Sequence, residues 1–161
     1  MFESAELGHK VDKETFKREV PKLRAELLDV QYDMLQKKEF PVVILISGVD
    51  GSGKGETINL LYSWMDPRHI STLAFSAPSD EETSRPYMWR YWRALPPKGK
   101  VGIFAGSWYS QPITDRINGD MRRSELDERL DDINRFDTML VNAGALVPKF
   151  RLPARKAGQK T

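Results

Sequence analysis

Residues Ser47 to Glu56 read SGVDGSGKGE. An apolar run, PVVILIS from Pro41 to Ser47, leads into this stretch, and GETINLLYSWM from Gly55 to Met65 leads out of it. The run is short and rich in β-branched residues, as expected of a strand buried on both faces of a parallel sheet. The stretch that follows carries Ile58, Leu60, Leu61 and Trp64 at helical spacing and ends before Pro67. Between them, Gly48, Gly51, Ser52, Gly53, Lys54 and Gly55 complete the G-x-x-x-x-G-K pattern of a phosphate loop. Glycines let the chain turn its N–H groups inward, and the next helix adds the positive end of its dipole. Lys54 supplies a mobile charge for the phosphates. A Ser or Thr that could hold a metal ion normally follows the lysine, but here Gly55 does. Asp50 is the carboxylate inside the loop. An acid in an anion cradle is unfavourable unless a metal or a proton offsets it. Asp50 is therefore a candidate Mg²⁺ contact and catalytic group, with a helix-capping loop aspartate as the plainer alternative.

Outward from the loop, the pattern alternates helix and strand. Lys13 to Lys38 is helical, with Leu23, Leu27, Val30, Tyr32, Met34 and Leu35 as its stripe and Pro21 as a first turn or a break. STLAFS (71–76) and VGIFAGS (101–107) read as strands, and PPKGK as the turn before the second. Between them a helix is expected from Asp80 to Leu95, started by a Ser79/Glu82 capping box and disturbed at Pro86. Ser124 to Asn142 is a charged helix with Leu126, Leu130, Ile133, Phe136, Leu140 and Val141 as its stripe. ALVPKF, with Pro148 inside, is an edge strand or no strand. The order predicts an α/β fold: a three-layer α/β/α domain with a parallel sheet, P-loop kinase-like. Residues 1–161 form one such domain, with 1–12 and 151–161 loosely held.

Composition narrows the chemistry. The chain of 161 residues has no cysteine, so disulfides, thiolate zinc sites and cysteine nucleophiles are excluded. Its two histidines, His9 and His69, stand far apart and offer no histidine-rich metal site. A formal net charge of +2 gives no global argument for nucleic-acid binding. No apolar run reaches membrane-spanning length, and the N-terminus lacks the form of a secretory signal. A cytoplasmic protein with no membrane or nucleic-acid partner is expected.

GVDGSGKGE resembles the loop of type-2 polyphosphate kinases, in which an aspartate at the third position and Gly-Lys-Gly are characteristic. The resemblance continues through WMDPRHI, RPYMWRYWRALPPKGKVGIF and SWYSQP, over roughly residues 25–147. MFESAELGH looks like the opening of the long tandem members, which transfer phosphate from polyphosphate to AMP. The resemblance implies Mg²⁺ as cofactor, polyphosphate and AMP as substrates, and a second homologous domain or a homo-oligomer as partner. It gives Lys54 and the loop amides to phosphates and Asp50 to the metal or the acceptor. It places Arg90 and Arg93 near the nucleotide or polyphosphate, where the fork of a guanidinium suits phosphate oxygens. A solvated helix face is the alternative for both arginines, and core is the expectation for Trp89, Tyr91 and Trp92.

The sequence also departs from that family. Its third strand normally ends in Asp-Arg-Ser-Trp-Tyr, with the aspartate in catalysis. Here Ala105 and Gly106 precede Ser107-Trp108-Tyr109, and Gln111 replaces a usual basic residue. Alanine can neither bind a metal nor accept a proton. Family members also continue beyond a fourth strand, so the domain is expected to be incomplete at its C-terminus. The basic run Lys149, Arg151, Arg155, Lys156 and Lys160 reads as a solvated tail that could touch polyphosphate. Three readings follow: a polyphosphate:AMP phosphotransferase whose present domain is weakly active or inactive alone, a non-catalytic phosphate-binding domain supporting a catalytic one, and an ATP-dependent nucleoside monophosphate kinase.

Overall fold

The computed structural model describes residues 10–49 and 51–152. Helix α1 (Lys13–Lys37) is started by Asp12, whose carboxylate accepts the N–H groups of Glu14 and Thr15 at 3.0 and 2.8 Å. Then come β1 (Val42–Gly48), α2 (Lys54–Trp64), a short 3₁₀ turn (Pro67–His69) and β2 (Ile70–Ala74). After these follow α3 (Asp80–Thr83), α4 (Trp89–Arg93), β3 (Val101–Ala105), α5 (Ser110–Asn118), α6 (Arg123–Asn142) and β4 (Lys149–Leu152). The sheet has the order β2-β3-β1-β4, and every pairing is parallel.

Two apolar layers make this a three-layer domain. On one face Val43, Leu45 and Phe104 pack against Tyr91, Trp108, Ile133, Phe136 and Leu140. On the other, Ile44, Ile46, Val101 and Ile103 pack against Met34 and Met65. Alternate residues of β1 thus serve opposite layers, which explains why its sequence is a continuous apolar run. Aromatic edges hold the first layer: Phe104 and Phe136 both meet the Trp108 ring edge-on, with centroids 6.1 and 5.1 Å away.

Several details differ from expectation. Helix α1 runs through Pro21 without a break. Pro21 is exposed, so the carbonyl it leaves unpaired can turn to water. Val30 and Tyr32 are each 63% exposed, while Gln31 is buried. Its amide donates to the Asp66 carbonyl (2.9 Å) and accepts from the Asp66 N–H (2.7 Å), pinning α1 to the turn before β2. A polar side chain satisfied on both sides is as good a core residue as an apolar one, and no periodicity reveals it. Leu60 and Val141 also face outward.

The helix expected from Asp80 to Leu95 is two short ones, α3 and α4, parted around Pro86, which has no N–H to continue the ladder. The Ser79/Glu82 capping box is present. Of the aromatics assigned to the core, Tyr91 is buried, Trp89 is half-buried and Trp92 is 52% exposed. Helix α5 was not expected; its signals are Pro112 in the first turn and Gly119 as a left-handed C-cap.

Strand β4 begins after Pro148 and lies at the end of the sheet. Pro148 contributes its carbonyl to the Leu45 N–H at 2.9 Å and needs no N–H of its own. Arg151 and Leu152 belong to this strand, so the loosely held tail expected from residue 151 does not begin there. Residues 1–9 and 153–161, with Arg155, Lys156 and Lys160, lie outside the described residues. Among the described residues no helix is long and apolar enough to cross a membrane.

The Gln31 bridge makes a simple prediction. Gln31→Ala leaves the part-buried Asp66 N–H unpaired and takes one bond from its carbonyl, which keeps the His69 N–H at 3.3 Å, and should cost about 1–2 kcal/mol. Urea unfolding should show a lower midpoint with an unchanged slope.

Candidate phosphate-binding site

The loop leaves the C-terminal end of β1 and enters α2 through left-handed glycines, Gly51 at φ 76° and Gly53 at φ 91°. Only glycine takes such angles without strain. Gly53 is the N-cap of α2 and provides no side-chain bond, so the first N–H groups of the helix are left for another acceptor. Gly55 serves the same opening. A Cβ at Gly51 or at Gly55 would meet no atom within 4 Å. Glycine at position 55 is therefore not demanded by packing, and its bareness leaves the helix backbone approachable.

Gly48 is the opposite case. A Cβ there would stand 2.4 Å from the Ser52 hydroxyl and 2.7 Å from the Leu152 carbonyl. The loop is folded back hard against β4 at that point. Lys54 spans it, donating from Nζ to the Gly48 carbonyl at 2.6 Å. The Thr57 hydroxyl bonds the Gly53 carbonyl at 2.9 Å. Among the described residues the Ser52 hydroxyl is buried and has no partner, a cost that a phosphate oxygen could relieve. Gly48, Gly51, Ser52, Gly53, Lys54 and Gly55 thus lie in one strand-to-helix turn. Asp50 lies outside the described residues.

The exit of β3 adjoins this loop. The Gly106 N–H bonds the Ile46 carbonyl at 2.8 Å, which ties the end of β3 to the last turn of β1. Gly106 sits at φ 93°. Ala105 ends β3 opposite Ile46 in the register. Its methyl group can neither bind a metal ion nor accept a proton. Among the described residues no group of three or more His, Asp or Glu side chains could enclose a metal ion. Without Asp50, the described residues fit Mg²⁺ only as an ion that arrives already bound by phosphates and keeps its waters.

The two arginines are held differently. Arg90 pairs with Glu82 at 3.4 Å, donates to the Ser76 carbonyl at 3.1 Å and lies over the Phe75 ring. These contacts commit it to joining α4 to α3 and the end of β2. Arg93 is exposed and stacks on Trp89, 4.7 Å from the ring centre.

Sequence reasoning missed a polar cluster at Asp137. Its carboxylate accepts from the Trp108 indole at 3.1 Å, from the Tyr109 hydroxyl and from the Lys149 ammonium. Lys149 also donates to the Tyr109 hydroxyl at 2.9 Å. The cluster joins α6, the turn after β3 and the first residue of β4. Burial alone would lower the Lys149 pKa, but the bonds to Asp137 and Tyr109 outweigh it, and the net shift is upward. Burial, and then Asp137, raise the Tyr109 pKa.

A phosphate cradle at the end of a central strand, in an all-parallel sheet covered on both faces, defines a kinase-like phosphate-loop domain. A family model described as polyphosphate kinase 2 matches residues 10–161. The chain belongs to the polyphosphate kinase 2 family. It is 52% identical over 150 residues to a polyphosphate:AMP phosphotransferase of Pseudomonas aeruginosa, covering 93% of this chain and 30% of that one. Its identity to the polyphosphate:AMP phosphotransferase of Pseudomonas syringae pv. tomato is 45% over the same shares. Among solved structures, a polyphosphate kinase 2 from Pseudomonas aeruginosa PA01 superposes with a TM-score of 0.92 at 50% identity, over 98% of this chain and 34% of that one. One from Arthrobacter aurescens TC1 gives 0.88 at 28% identity, over 95% and 56%. The chain spans about a third of the length of its Pseudomonas relatives.

The Asp137 cluster predicts alkaline sensitivity. A group whose pKa is raised on folding stabilises below its unfolded value and loses that contribution as pH rises through the folded one. For Tyr109 and Lys149 the ordinary values are 10.0 and 10.5, so the loss should set in above pH 10. Asp137→Asn should lower stability at neutral pH by about 2 kcal/mol. It should also flatten the alkaline arm of a stability–pH curve measured by thermal melting.

Proposed function

We propose that this chain is a phosphate-binding domain of a polyphosphate:AMP phosphotransferase. In that protein a phosphoryl group passes from polyphosphate to AMP, giving ADP and a chain one unit shorter. The open loop, with Lys54 across it and the N–H groups of α2 uncapped, is the observation that carries the reading. The names of the Pseudomonas relatives support the substrates.

The roles follow from electrostatics. Phosphoryl transfer runs mostly on positioning and on charge stabilisation. Lys54 would leave the Gly48 carbonyl for a phosphate oxygen, and the loop amides would take others. The Ser52 hydroxyl, unpartnered as it stands, would donate to a phosphate. Asp50 would be the carboxylate toward Mg²⁺, which supplies neutralisation of phosphate charge when bound. Arg93, exposed and pre-oriented by Trp89, is a better phosphate contact than Arg90, whose bonds serve the fold. A homologous second domain or a further copy of the chain would be the assembly partner, and the cytoplasm the compartment.

The exit of β3 favours a second reading for this domain by itself: it binds and supports, and does not transfer. Ala105 removes a carboxylate that would face the loop, which should cost orders of magnitude in rate.

The test separates these readings. Polyphosphate should bind the chain, more weakly at high salt, and Lys54→Ala should reduce affinity roughly tenfold or more. With AMP, polyphosphate and Mg²⁺, the chain should form ADP slowly if at all, and Ala105→Asp should raise the rate. Rapid turnover by the unmodified chain would end the supporting-domain reading. Binding of ATP but not polyphosphate would end the polyphosphate assignment and restore the ATP-dependent kinase.

A further inference from the structure

Strand β1 ends between β3 and β4, and one side chain ties down both neighbours. On the first side the Gly106 N–H bonds the Ile46 carbonyl at 2.8 Å, and two residues later Trp108 enters the core. On the second side β4 runs along β1, from Lys149 opposite Leu45 to Leu152 opposite Gly48. The Leu152 carbonyl and the Ser52 hydroxyl are the two groups that crowd Gly48. Asp137, on α6, reaches both neighbours. Its Oδ1 accepts from the Trp108 indole at 3.1 Å, and its Oδ2 accepts from the Tyr109 hydroxyl and the Lys149 ammonium. Lys149 closes the figure: it donates to the Tyr109 hydroxyl at 2.9 Å and lies 4.8 Å from the centre of that ring.

Holding α6 on the sheet does not require these bonds, because Ile133, Phe136 and Leu140 already pack there. Apolar burial has no direction, so it leaves a short edge strand able to tilt against its neighbour. Strand β4 has four residues and lies at the end of the sheet order. The Asp137 side chain is only 18% exposed. A carboxylate taken out of water costs free energy that an apolar side chain there would not. What its bonds add is direction, and they direct the first residue of β4 and the turn after β3.

We propose that Asp137 is a positioning residue for the phosphate loop. It holds β4 and the exit of β3 in one geometry around the end of β1, and so sets the wall against which Gly48 and Ser52 are placed. It touches no phosphate itself. The proposal rests on the reading of the loop as a phosphate site.

Asp137→Asn keeps the shape of the side chain and removes its charge. Measured on the folded protein, its affinity for polyphosphate should fall roughly three- to tenfold. Tyr109→Phe removes one bond of the cluster and keeps the ring, and should show a smaller loss. Asp137→Glu keeps an acceptor for Lys149 and should recover most of the affinity. Gln31→Ala weakens the domain on the α1 side of the sheet and should bind as tightly as the unmodified chain. Added to Lys54→Ala, Asp137→Asn should cost less than it does alone, since a loop without its lysine loses less by misplacement. Unchanged affinity in Asp137→Asn and Tyr109→Phe, an equal loss in Gln31→Ala, or full additivity with Lys54→Ala would overturn the proposal. An unmodified chain that does not bind polyphosphate would instead end the phosphate-site reading, and this proposal with it.

Discussion

The site depends on a contact with no room in it. At Gly48 the last residue of β1 lies against the Ser52 hydroxyl and the Leu152 carbonyl, closer than any side chain would allow. This contact lets the loop turn back over the strand that leads into it. It also brings the edge strand β4 beside the cradle, where the Ser47 hydroxyl reaches the Phe150 carbonyl at 3.3 Å. The two core layers hold β1 between β3 and β4, and the loop takes its position from that register. Apolar burial on both faces fixes the strand, and the missing side chain fixes the turn.

Around that turn the polar groups divide into those used by the fold and those left over. Asp137 and Gln31 are satisfied within the domain, and Arg90 is tied to Ser76 and Glu82 although its Nε makes no hydrogen bond. The uncapped amides of α2 and the Ser52 hydroxyl are left over. An unsatisfied donor at the mouth of a loop is a cost in the empty protein and a gain on binding. The loop is therefore open to an anion, while Ala105 at the end of β3 offers it no carboxylate.

The loop, β1, β3 and the parallel sheet are legible in the sequence because glycine, lysine and a run of β-branched residues constrain the backbone directly. Family likeness at RPYMWRYW and SWYSQP leads to the right class of protein. What escapes is decided by tertiary contact. Gln31 is buried because Asp66 lies opposite it, and Trp92 stays 52% exposed although its ring meets Phe136. Lys149 looks like one charge in a basic run until α6 brings Asp137 to it. The part played by Arg90 is likewise set by Glu82 and Ser76, which helix spacing does not disclose.

Gly106 restricts what the exit of β3 can carry. Ala105 leaves an ordinary strand backbone, open to many side chains. A glycine at φ 93° does more, because the chain has settled into a conformation that other residues resist. Placing an arginine on this backbone costs about 1–2 kcal/mol before it contacts any ligand. A side chain added at position 106 therefore has to recover that cost from its own contacts, whereas one added at position 105 does not.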